Sequence, residues 1–143
     1  MEYVFPALIE ADPDGGYLVT FPDVPEAITA GETLAEARSN AVEALGLALR
    51  GVLTMDRSLP STRSTKPGLI DIAVDPTTAL KLAVVEAFNE SGLTKSELAR
   101  RLGRVETEAR RILDPDHPTK LPLLQEALAV LGKDIIVSVR GAA

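Results

Sequence analysis

Apolar and polar positions in the first third of the chain change over in short runs rather than in helical stripes. "YVFPALIE" (3–10) and "GYLVTFP" (16–22) are rich in β-branched and aromatic residues. Between them, "ADPDGG" supplies the Pro, Asp and Gly backbone angles of a turn. The pattern predicts a hairpin with a longer loop, and a third, weaker strand fits "EAITA" (26–30). Then the period changes. Over 33–53, Leu34, Ala37, Ala41, Leu45, Ala48 and Val52 recur at helical spacing, and Thr33 followed by Glu36 forms a capping-box pattern. That helix has one apolar face, which should pack on the hairpin sheet. Residues 54–68 are polar and carry two prolines, so they read as a loop or linker, and "LIDIAV" (69–74) follows as a further strand.

The second half has helical periodicity almost throughout. Asp75-Pro76 is a helix-start signal, and Leu80, Ala83, Val84, Ala87 and Phe88 share one face up to about Glu90. Ser91-Gly92 breaks the pattern. A second capping box pairs Thr94 with Glu97, and Gly103 ends that helix. A third helix is expected over 105–113, a loop at "DPDHPTK" (114–120), and a fourth helix over 121–132. "DIIVSVR" (134–140) reads as a closing strand. The fold class is therefore α+β: a small sheet-and-helix lobe over 1–75, then an all-α domain over 76–143 with a C-terminal strand.

Charge sharpens this division. The 143 residues carry a net charge of −6, but residues 1–75 hold five basic against twelve acidic side chains (−7). Residues 76–143 hold ten basic against nine acidic (+1). The first half would repel a phosphate backbone, while the second could approach one. With no cysteine, disulfides, thiolate catalysis and thiolate metal sites are all excluded. The start, "MEYVFPALIEADPDGG", lacks the basic region and apolar run of a secretory signal, and no stretch approaches a membrane span. A cytoplasmic protein with no membrane association is expected.

Two short helices joined by a Gly-containing turn are what a helix-turn-helix requires. Leu98, Ala99 and Leu102 would face inward from the first helix, and Val105, Ala109 and Ile112 from the second. The opposite face would carry Glu106, Thr107, Arg110 and Arg111, with Arg104 in the turn and Lys95 and Lys120 placed for phosphate contacts. The plain alternative is a helical hairpin with a solvated charged face. Two features count against tight DNA binding. Val105 stands where a Ser or Thr cap is usual, and Glu106 and Glu108 bring acids to the start of the second helix.

"LTKSELARRLG…RRILDPDHPTKLPLLQEALAVLGKDIIVSV" resembles the C-terminal helix-turn-helix of HicB-type antitoxins, and "GGYLVTFPDVPEAITAGETLAEARSNAVEAL" resembles their N-terminal lobe. Only 54–68 carries no motif of the family. The resemblance implies a βββαβ, partial RNase H-like lobe that masks a HicA-type toxin, a small basic mRNA-cleaving protein. It also implies a C-terminal domain that binds the operator of its own operon within a homodimer or higher even-numbered oligomer. No cofactor, metal or catalytic residue is implied. Glu10, Asp12, Asp14, Asp23 and Glu26 are the acidic candidates for toxin contact. Ile135, Val137 and Val139 are the candidates for dimerisation through paired C-terminal strands, the alternative being pairing with 69–74 inside the chain.

Some of these residues fit other functions less well. Glu10, Asp12, Asp14 and Asp23 could suggest a metal nuclease, but three of them lie in or beside one turn, where Asp is expected for geometry alone. Tyr3, Phe5, Tyr17 and Phe21 could stack RNA bases, yet no basic residue precedes Arg38, so they are better assigned to the core. His117, the single histidine, has no second histidine with which to build a metal site. The alternative function is a free-standing transcriptional regulator whose acidic lobe senses a ligand or protein.

Overall fold

The computed structural model describes residues 1–142. The chain divides into two compact units, Met1–Asp75 and Pro76–Ala142. Among the described residues, no helix is long and apolar enough to cross a membrane.

The first unit runs β1 (Val4–Ala11), β2 (Tyr17–Thr20), β3 (Ile28–Gly31), α1 (Leu34–Thr54) and β4 (Ile70–Ala73). Its sheet is antiparallel throughout, in the order β3-β2-β1-β4. This is the expected βββαβ order. β1 changes partner midway: Val4 to Ala7 pair with β4, and Leu8 to Ala11 pair with β2. Pro6, which has no N–H to give, thus lies where the strand is paired on one side only. α1 starts where Thr33 Oγ1 accepts the Glu36 N–H at 3.1 Å. Its buried stripe of Ala37, Ala41, Leu45, Leu49 and Val52 covers one face of the sheet, where Phe5, Ala7, Val19 and Ile72 are also buried. Of the four aromatics expected in the core, Phe5 and Phe21 are buried, while Tyr3 and Tyr17 are only half-buried.

Residues 55–69 form neither helix nor strand, but they are not a slack tether. The Asp23 carboxylate accepts the backbone N–H of Arg63 at 3.1 Å and of Ser64 at 3.2 Å, and the Ser64 hydroxyl at 2.9 Å. Thr62 donates its hydroxyl to the Val4 carbonyl at 3.1 Å. The segment is therefore a strap tied to the strand-rich side of its own unit.

The second unit contains α2 (Pro76–Ser91), α3 (Lys95–Leu102), α4 (Glu106–Leu113) and α5 (Leu121–Val130). Val84, Ala87, Leu98, Ala99, Leu102, Ala109, Ile112, Leu113, Leu124, Ala127 and Leu128 make one core. α3 has both halves of its Thr94/Glu97 capping box and ends at Gly103, whose φ of 67° is the left-handed value that glycine adopts without strain.

Two expectations need correction here. Val105 is not part of the buried stripe of α4. It is the helix N-cap, 64% exposed and with no side-chain capping bond, and Leu113 takes its place in the core. The strand expected over 134–140 does not form: Ile136, Val137 and Val139 are 82–90% exposed and no ladder includes them. A strand needs a partner for its backbone groups, an all-helical unit offers none, and β4 pairs only with β1. Ile135 packs instead against the helical core of its own unit.

Candidate functional site

In the first unit, the turn after β1 and the junction of β3 with α1 bound a shallow open cleft of about 560 Å³. Its walls hold Asp12, Asp14, Glu32 and Glu36 together with Gly15, Gly16, Tyr17, Ala30 and Gly31. The turn is locally determined: Asp12 Oδ1 accepts the Asp14 N–H at 2.9 Å, an Asx-turn, and Gly15 and Gly16 have φ values of 103° and 77°. Gly31 is required by crowding. A Cβ there would lie 2.7 Å from Ala37 Cα and closer still to the Ala37 backbone nitrogen.

Only some of the acidic candidates meet at this cleft. Asp12 and Asp14 do. Asp23 is engaged with the strap, and Glu26 faces Arg57 at 3.9 Å. Glu10 lies on β1 opposite Leu18. The cleft instead recruits Glu32 and Glu36, which sequence reasoning did not single out because they flank a helix start where acids are expected for capping alone. At Asp23, burial pushes the carboxyl upward, but hydrogen bonds from Ser64 and Arg63 outweigh it and hold it below the ordinary carboxylate value. Among the described residues, no group of three or more His, Asp or Glu side chains is placed to hold a metal ion.

In the second unit, α3, the Gly103 turn and α4 form a helix-turn-helix. Lys95 begins α3, Arg104 sits in the turn, Thr107, Arg110 and Arg111 are exposed on α4, and Lys120 is the N-cap of α5. The two glutamates on α4 have specific partners. Glu106 meets Arg110 at 2.9 Å and accepts the Ser96 hydroxyl at 3.1 Å, tying α4 to α3. Glu108 meets Arg104 at 3.2 Å, and Arg104 also reaches Glu126 of α5 at 3.7 Å. Two of the candidate arginines are thus partly neutralised by neighbours. Arg100 and Arg101, exposed in the last turn of α3, extend the basic surface and were legible as "ARRLG". His117 is exposed in the loop after α4.

One buried charge was not anticipated. Lys81 of α2 is 4% exposed, and its Nζ donates to the backbone carbonyl of Arg111 at 3.0 Å and to the Thr119 hydroxyl. Burial lowers its pKa to about 8, against a smaller opposing attraction from Asp114. The signal was faint: a lysine between Leu80 and Leu82 in an otherwise apolar stretch.

Comparison with known proteins bears directly on both units. Residues 5–73, which take in all of the sheet but Val4, match the HicB-like antitoxin of bacterial toxin-antitoxin systems. The chain is 36% identical over 133 residues to antitoxin HicB of Escherichia coli (strain K12), covering 92% of this chain and 95% of that protein. The chain belongs to the HicB antitoxin family. Antitoxin HicB 1 of Photorhabdus laumondii subsp. laumondii is 33% identical over 135 residues, covering 94% of this chain and 86% of its own length. Antitoxin HicB of Pseudomonas fluorescens (strain Pf0-1) is 34% identical over 130 residues, covering 90% and 88%. A HicB antitoxin is one half of a toxin–antitoxin system, so a toxin is the partner that this family implies. In all three relatives the likeness runs through both the strand-rich unit and the helix-turn-helix.

Proposed function

We propose that this HicB antitoxin neutralises a HicA-type, mRNA-cleaving toxin by covering its RNA-cleaving site with the acidic unit Met1–Asp75. The helix-turn-helix unit binds operator DNA of the chain's own operon and represses it, as an even-numbered oligomer in the cytoplasm. The observation that carries this reading is the near-full-length likeness to HicB antitoxins, which takes in both units of one chain. Charge supports it. A unit of net charge −7 suits a basic toxin, and the Asp12–Asp14–Glu32–Glu36 cleft is where that charge converges. The arginines of α3 and α4 suit phosphate and guanine edges. Neutralisation by occlusion asks for no reacting group, only for a surface that excludes RNA.

Pairing of the 134–140 segments of two copies supplies the even-numbered assembly. Val137 and Val139 are exposed in the single chain, and a second copy would bury them while completing a two-stranded ladder. The resulting two-fold axis matches a palindromic operator.

Arg111→Ala separates the two activities. The variant should lose affinity for the DNA upstream of its own coding region in an electrophoretic shift, yet still relieve toxin-induced growth arrest. Equal loss of both activities would contradict the division of labour between the units.

A further inference from the structure

Lys81 is the one charged side chain buried among the described residues. Burying an ammonium at a helix–helix contact is costly, and a Met or Leu would fill the same space without that cost. What the lysine adds is direction. Its Nζ reaches from α2 to two acceptors on other segments: the Arg111 carbonyl in the last turn of α4, at 3.0 Å, and the Thr119 hydroxyl in the loop before α5.

Both acceptors adjoin the basic surface. Carbonyls in the last turn of a helix lack the intrahelical donors that satisfy the others, and they form the negative end of the helix dipole. Many helices close that end with a left-handed glycine, but α4 ends at Asp114, whose backbone is extended with φ −80° and ψ 112°. The Arg111 carbonyl receives the Asp114 N–H at a long 3.3 Å. The Lys81 ammonium completes its coordination and also meets the Asp114 carboxylate electrostatically. Thr119, the second acceptor, immediately precedes Lys120. One buried cation thus pins the end of α4 that carries Arg110 and Arg111, and the loop that delivers Lys120.

We infer that Lys81 is a positioning residue for DNA binding: by clamping the Arg111 carbonyl and Thr119, it fixes the seating of α4 and the placement of Arg111 and Lys120 against phosphates. This rests on the proposal that α3 and α4 bind DNA. Lys81 itself, being buried, touches no phosphate.

The test uses the full chain and fluorescently labelled duplexes tiling the DNA upstream of its coding region, titrated by anisotropy over a salt series. Lys81→Met should weaken binding to the tile that wild type binds best by about tenfold, with a salt slope shallower by about one or two phosphate contacts. Thr119→Val should act in the same direction and less. Either change should weaken binding by a smaller factor in the Arg111→Ala background than in wild type, because the part of its effect that acts through Arg111 is already lost there. A lysine that merely stabilised the bundle would weaken binding by the same factor in both backgrounds and leave the slope unchanged, which overturns the positioning role. Wild-type affinity and slope in both Lys81→Met and Thr119→Val overturn it too, while leaving DNA binding intact. If Lys81→Met does not fold, Thr119→Val decides by the same criteria. Failure of wild type to bind any tile overturns the DNA-binding proposal and the positioning role with it.

Discussion

Arg110 Nη2 lies 2.9 Å from Glu106 Oε1, one turn back along α4, so an arginine proposed for DNA contact is already paired with a carboxylate of its own helix. Exposed pairs of this kind hold their partners by only about 0.3–0.5 kcal/mol. The pair therefore does not lock Arg110 away. Its larger effect is to set a negative charge beside any approaching phosphate. Glu106→Gln should bind random-sequence duplex several-fold more tightly at low salt, with a steeper salt dependence, by the counterion-release argument. Unchanged affinity and slope would mean that this part of α4 lies away from the DNA.

Gly31 admits no side chain. Its backbone approaches Ala37 so closely that a Cβ would lie 2.7 Å from Ala37 Cα, against main chain that cannot swing aside. Gly31→Ala should destabilise the first unit by about 1–3 kcal/mol, the usual range for overpacking, measured as a lowered urea midpoint. It should also disturb the neighbouring acidic cleft, and with it toxin neutralisation. A midpoint equal to wild type would show that β3 and α1 can separate without cost.

Lys81 gives the second unit a distinctive pH dependence. Its pKa is lowered in the fold from 10.5 to about 8, so between these values the unfolded chain holds more protons than the native one. Stability then rises with pH over that interval, by an amount on the order of 1 kcal/mol, when unfolding releases the ammonium to water. Thermal melts of the helical unit should show this rise in wild type and lose it in Lys81→Met. A wild-type stability flat or falling between about pH 8 and 10 would contradict the placement of the charge.

The exposed C-terminal segment makes an assembly prediction. Val137 and Val139 are 82% and 90% exposed. Val137→Lys with Val139→Lys should convert an even-numbered oligomer to monomer in sedimentation velocity, and weaken operator binding through lost bivalency. An unchanged oligomer would place the subunit contact elsewhere.

How far the sequence reveals this molecule depends on the range of the interactions involved. Thr33 and Thr94 mark helix starts because a cap oxygen and the N–H that donates to it lie three residues apart, and both helices begin where expected. The βββαβ order and the inward set of Leu98, Ala99 and Leu102 followed from periodicity, which is also local. What escaped notice depends on contacts over long separations. Asp23 meets Ser64 across 41 residues, which turned an apparent linker into a strap and took one acid out of the exposed set. Lys81 meets Thr119 across 38 residues, and a lysine flanked by leucines in "ALKLA" gives only a faint sign of burial and none of its partners. Val105 fell outside the core because a helix N-cap points away from the stripe that its spacing suggested. "DIIVSVR" has the composition of a strand, but composition cannot supply the partner a strand needs.

The most direct test of the central claim is to express any small basic reading frame found beside the gene for this chain, as the proposed toxin partner, alone and with this chain. Growth and the integrity of cellular mRNA are then followed. Neutralisation by the acidic unit predicts arrest and mRNA cleavage by the partner alone, and relief of both by the wild-type chain. A variant with Asp12, Asp14, Glu32 and Glu36 changed to their amides, but folded as wild type, should give little relief. Undiminished relief by that variant would remove the acidic cleft from the mechanism, and persistence of arrest with the wild-type chain would contradict neutralisation itself.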